Sequence, residues 1–84
     1  MSKALRLSEK WFQRGLWLRA FALALPRAEK GDAAAMTMLG TLYETGLGVN
    51  IDQSKAADWY GLAAGRGDRE AAAALGQMHA EGRG

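Results

Sequence analysis

Apolar positions in this chain recur with the period of an α-helix. Ala35, Met38, Leu39, Leu42 and Tyr43 fall at i, i+3, i+4, i+7 and i+8, the spacing that lines one side of a helix with apolar groups. The spacing returns 36 residues later in Ala71, Ala74, Leu75, Met78 and His79. Between the two copies, Ala56, Trp59, Tyr60 and Ala63 form a third seam. Asp32, Asp52 and Asp68 stand where a side-chain oxygen caps the free N–H groups of a first turn, and Gly31, Gly46 and Gly65 or Gly67 stand where helices close. The pattern predicts helices near 8–29, 33–46, 53–65 and 69–81 and no sheet. The first is expected to break near Gly15 and to kink at Pro26, because proline in a helix interior costs about 3 kcal/mol.

Self-similarity organises the chain. Laid over residues 67–84 without a gap, residues 31–48 show seven identical pairs out of eighteen: Gly31/Gly67, Asp32/Asp68, Ala35/Ala71, Leu39/Leu75, Gly40/Gly76, Gly46/Gly82 and Gly48/Gly84. These are turn and packing positions, which a repeated structural unit retains. Gly40 and Gly76 lie mid-helix, where glycine costs about 1 kcal/mol relative to alanine. Their recurrence predicts close approach of a paired helix at both places. Gly46-Leu47-Gly48 is a poor phosphate loop, since such a loop follows a strand, opens a helix and carries a downstream lysine. It reads as a turn whose glycines take left-handed backbone conformations.

The run from Ala33 to Gly67 resembles the Sel-one-like repeat (SLR), a relative of the tetratricopeptide repeat, in Ala33, Ala35, Leu39, Gly40, Tyr43, Gly46, Gly48, Val49, Asp52, Lys55, Ala56, Trp59, Tyr60, Ala63, Ala64 and Gly67. The second copy covers only the first helix and the turn, with His79 in the tyrosine position. Upstream, Arg19, Ala20, Ala28 and Gly31 keep the register, while Leu23 and Ala24 replace the Trp-Tyr pair. The resemblance implies an all-α fold, a short α/α solenoid of helix-turn-helix units, and an adaptor role in multiprotein complexes, in a family with many bacterial envelope and host-interaction members. The expected organisation is one domain over 1–84. Within it, 1–30 is a divergent helical segment, 31–66 a complete repeat and 67–84 a half repeat.

Composition narrows the chemistry. At 84 residues the chain is one small domain, and its 17 alanines and 11 glycines against one proline suit closely packed helices. The absence of cysteine excludes disulfides and thiolate metal sites. With one histidine and no acidic cluster, the chain lacks the parts of a metal site or nucleophilic triad, so it reads as non-catalytic, with no cofactor. His79 sits in a stencil position and reads as a packed or half-exposed helix residue. Trp59 and Tyr60 read as core rather than as a stacking platform, and Asp32, Asp52 and Asp68 as caps rather than acid/base pairs.

Charge is unevenly placed. Residues 1–30 carry seven Lys/Arg and two Glu, a net +5, and residues 31–84 carry four Lys/Arg and seven Asp/Glu, a net −3. Lys3, Arg6, Lys10 and Arg14 would line one face of a first helix that continues into Trp17 and Phe21. That stripe fits a solvated face or a membrane-surface contact. A basic patch confined to one end argues against nucleic acid. The longest uncharged run, Ala33 to Tyr43, is eleven residues, too short to span a bilayer. A degenerate signal peptide, basic to Arg14 and apolar over Leu16 to Leu25, is the alternative reading of this segment; it would make the chain an exported or membrane-associated envelope accessory protein, periplasmic or secreted rather than cytoplasmic.

The primary expectation is a protein-protein interaction module that binds a protein partner or itself. Trp17, Leu18, Phe21 and Leu25 stand in register with Gln53, Ser54, Ala57 and Gly61, so large apolar groups replace small or polar ones. They are the candidate partner-binding residues, unless residues 1–15 fold back over them. At the other end Leu75 and Met78 lie on a seam with no following helix in the sequence, and self-association through both ends is expected.

Overall fold

Four helices follow one another in the computed structural model: α1 Lys3–Glu29, α2 Ala33–Thr45, α3 Gln53–Gly65 and α4 Arg69–Ala80. It describes residues 3–82, and their side chains from Gly15 onward. No strand occurs among the described residues. α2 packs against both α1 and α3, α3 packs against α4, and α2 and α4 touch along one edge. The chain is an α/α solenoid in which each helix leans on its neighbours in sequence.

Helix ends form where the polar residues predicted them. Asp32 Oδ1 accepts from the N–H groups of Ala34 and Ala35 at 3.0 and 3.3 Å, Asp52 Oδ1 from Lys55 at 3.0 Å, and Asp68 Oδ1 from Ala71 at 3.0 Å. The connections ahead of Asp32 and Asp68 are copies of each other. The Asp32 N–H bonds the Arg27 carbonyl and the Gly31 N–H that of Ala28; 36 residues on, Asp68 bonds Ala63 and Gly67 bonds Ala64. Gly46 and Gly48 have φ of 74° and 76°, as the turn reading requires, and Gly48 lies so near the backbone of Trp17 that a Cβ would come within 2.8 Å of it.

α1 corrects the expected break near Gly15. It is continuous from Lys3 through Gly15, so residues 1–15 do not fold back over the helix where they are described. Its apolar groups at 21, 25 and 28 pack on one side, and one glycine does not interrupt a helix held that way. Pro26 stands in the last turn, where its missing N–H removes a single hydrogen bond.

The core stripe of α2 is rotated from the predicted one. Met38 is 47% exposed, while Met36 and Leu39 are buried. Ala33 to Tyr43 is apolar on nearly every side, so periodicity allows more than one buried face, and burial by three neighbouring helices selects among them. α4 departs similarly: Ala71 and Met78 are buried, Leu75 is half-buried and His79 exposed.

The tightest packing joins α2 to α3. The Tyr60 ring lies on Gly40, where a Cβ would meet its Cδ1 and Cε1 at 2.6 Å. Tyr60 is 2% exposed, and its hydroxyl donates to Glu44 Oε1 at 2.9 Å and shares a hydrogen bond with Thr41 Oγ1 at 3.0 Å. Desolvation by burial, with a lesser opposing effect from Thr41, pushes the phenol up to about 12. Trp59, its neighbour in sequence, is only half-buried at the core edge. The expected counterpart at Gly76 is not found: no described atom lies within 4 Å of a Cβ there.

α2 and α4 are tied by Asp68. While Oδ1 caps α4, Oδ2 accepts from Thr37 Oγ1 at 2.8 Å. The Ala71 N–H first, and Thr37 second, hold this carboxyl below the usual range.

Two expected outcomes follow from this packing. Gly40→Ala gains about 1 kcal/mol of helix propensity but overpacks the Tyr60 ring, which costs about 1–3 kcal/mol. It should lower stability in a urea melt, while Gly76→Ala should raise it by up to about 1 kcal/mol; the reverse order would refute the Tyr60 contact. Because the folded-state pKa of Asp68 is depressed, its stabilisation is present above the ordinary carboxylate range and is lost as pH falls through the lowered value. Thr37→Val should therefore raise the Asp68 pKa, read by NMR titration, and move acid unfolding to higher pH.

Candidate functional site

The titratable groups singled out from the sequence do not converge. No group of three or more His, Asp or Glu side chains is placed to hold a metal ion among the described residues. The three aspartates serve helix ends, Tyr60 serves the core, and His79 stands alone on the outside of α4. What the fold offers instead is surface, in two adjoining places.

The first is a crease between α2 and α4, about 310 Å³ in volume, lined by Ala34, Thr37, Met38, Thr41, Asp68 and Glu70. Its floor is the exposed thioether of Met38 beside Ala34, and one lip carries two carboxylates. Those residues face each other because Asp68 bonds Thr37 across the helix pair.

The second is a shallow depression of about 340 Å³ between α1 and α2. Ala20, Leu23 and Arg27 line it from α1, and Ala34 and Met38 from α2. Leu23 is 71% exposed, the most open large apolar side chain described.

The four candidate partner-binding residues divide between inside and outside. Phe21 and Leu25 turn inward against the core, with the Phe21 ring set edge-on to Tyr43 at 5.6 Å and 85°. Tyr43 in turn carries the Lys55 ammonium 5.4 Å from its ring centre, so one ring joins α1, α2 and α3. Trp17 and Leu18 remain open at 38% and 50%, with Leu16 beside them at 48%. Sequence reasoning passed over Leu23 and Met38. Leu23 carried a signal, since it takes the register position of Trp59; Met38 carried none, lying on the expected core stripe. The basic side chains Lys3, Arg6, Lys10 and Arg14 lie outside those described. No described helix is long and apolar enough to cross a membrane.

No curated protein and no solved structure was found to match the chain. A family model described as Sel1 repeat does match, over residues 33–68 and again over 69–84. Sel1 repeats are generally protein-protein interaction modules and are typically non-catalytic. The two matches fall on the helix-turn-helix unit formed by α2 and α3 and on α4, the 36-residue repetition seen in caps, turns and hydrogen bonds, and the chain belongs to the Sel1 repeat family.

Proposed function

We propose that this chain is a non-catalytic docking module whose α2/α4 crease binds an extended segment of a partner protein. The observation that carries this reading is the composition of the crease: a half-exposed methionine flanked by Ala34 and Thr41, with Asp68 and Glu70 at the edge. Methionine adapts to varied apolar side chains. Two carboxylates, Asp68 held by Thr37 and Ala71 and Glu70 exposed beside it, select against acidic partners and steer basic ones. The segment that fits places an apolar side chain on Met38 and a lysine or arginine next to it.

A second reading, attachment to a membrane surface through the N-terminal helix, draws support from the open Leu16, Trp17 and Leu18 on the basic third of the sequence. It would suit an envelope accessory protein, whereas the docking reading suits a cytoplasmic one. Co-sedimentation with anionic vesicles separates them: binding lost in Trp17→Ser with Leu18→Ser favours the membrane reading.

The docking reading is tested by panning a random peptide library over the full chain. Enriched peptides should pair a basic residue with an adjacent apolar one. Their affinity should fall several-fold with Glu70→Lys and stay unchanged with Leu18→Ser. Enrichment of acidic peptides, or affinity indifferent to Glu70→Lys, would overturn it.

A further inference from the structure

The depression between α1 and α2 is a seat that the same fold fills one repeat later. Shifted by 36 residues, its lining becomes Ala56, Trp59 and Ala63 on α3 with Glu70 and Ala74 on α4. There α2 lies across both helices, placing Gly40 under Tyr60 and Thr37 against Asp68. No described helix lies across α1 and α2 at the depression. Asp32, the counterpart of Asp68, has no α2-like hydroxyl facing it among the hydrogen bonds described, and Leu23, the counterpart of Trp59, is the most open large apolar residue there.

The helix that fits this seat has the sequence character of α2, and α4 has it by internal repetition. Its own outer face is open among the described residues: none approaches Gly76, and Ala72, Ala73 and Ala80 are exposed beside it. The two faces differ in size in the sense that lets them mesh, with Trp17 and Leu23 projecting from α1 toward alanines and a glycine on α4. They also differ in charge. Residues 15–30 carry Arg19, Arg27 and Lys30 against Glu29, a net +2, and residues 68–82 carry Asp68, Glu70 and Glu81 against Arg69, a net −2. α3 runs antiparallel to α2, since Gln53 bonds the Glu44 carbonyl while Tyr60 lies on Gly40. The same pairing would bring the Glu70 end of α4 toward Arg27.

We propose that α4 of a second copy occupies the α1/α2 depression, so that chains join head to tail and the order of helices continues across the junction. Such a contact uses two different surfaces. It leaves one of each free after every addition and gives open assemblies rather than a closed dimer. It shares Ala34 and Met38 with the α2/α4 crease and otherwise uses Ala20, Leu23 and Arg27 of α1.

Sedimentation equilibrium from low micromolar to millimolar protein tests this. The average mass should climb past two chains without a plateau, and the climb should weaken in high salt. Leu23→Glu blocks the seat and Gly76→Arg blocks the incoming helix. Both positions face open space, so each variant should keep its helical circular dichroism and melting temperature while remaining monomeric. Mixed in equal amounts, the two variants retain one intact α4 face and one intact α1 face between them, and should form a complex of two chains and no larger. A wild-type chain that stays monomeric throughout would overturn the proposal, even if it bound vesicles or an added peptide. So would a mass that levels at a dimer, or a mixture of the two folded variants that remains monomeric.

Discussion

The Tyr60 ring resting on Gly40 sets the distance between α2 and α3, and the other helices take their places from that pair. No side chain other than hydrogen leaves room for the ring. The phenol hydroxyl then reaches Thr41 and Glu44 of α2, which satisfy it, as a buried hydroxyl requires. With α3 held so close, its C-terminal turn delivers Asp68 to Thr37 and thereby positions α4. On the opposite flank Tyr43 receives Phe21 from α1. Small residues line the remaining contacts, Ala56 and Ala63 on α3 and Ala24 and Ala28 on α1 all being buried. The alanine-rich composition is therefore a condition of the spacing.

Local signals in the sequence identified the helices well, because each boundary depends on groups a few residues apart. An aspartate before an apolar run and a glycine after it suffice for a cap, and α3 occupies the expected 53–65. Facing was harder to read. Along α2 both Met36 and Met38 belong to acceptable stripes, and the choice rests on where α1, α3 and α4 lie. The same holds for Phe21 and Leu25: their bulk relative to Ala57 and Gly61 was visible, but the ring that receives them, Tyr43, belongs to the next helix. The equivalence of Gly40 and Gly76 was true of the sequence and untrue of the contacts, since a repeat preserves the residue that admits a neighbour whether or not one is there.

This last point connects the family to its surfaces. A Sel1 repeat is a unit whose helices each have one face for the preceding helix and one for the following helix. Residues at the edge of an array are chosen for packing and yet meet solvent. Among the described residues, Leu23 meets solvent as a projecting apolar group and the alanines around Gly76 as a flat, small-residue face. The α2/α4 crease is different in kind. Ala34, Met38, Thr41 and Glu70 are exposed there although both flanking helices are in place, and the crease mixes carboxylates with an apolar methionine in a way that core packing does not call for.

The pairing of each helix with its sequence neighbours also governs how fast the chain can find its structure. Tyr60 meets Gly40 across 20 residues, Phe21 meets Tyr43 across 22, Thr37 bonds Asp68 across 31, and Gly31 lies beside Arg66 across 35. Loops this short lose little entropy on closing, which places the molecule among the low-contact-order folds that form in microseconds to milliseconds. The α2–α3 hairpin supplies the shortest of these closures, the Gln53 bond to the Glu44 carbonyl across nine residues, so the nucleus is expected there.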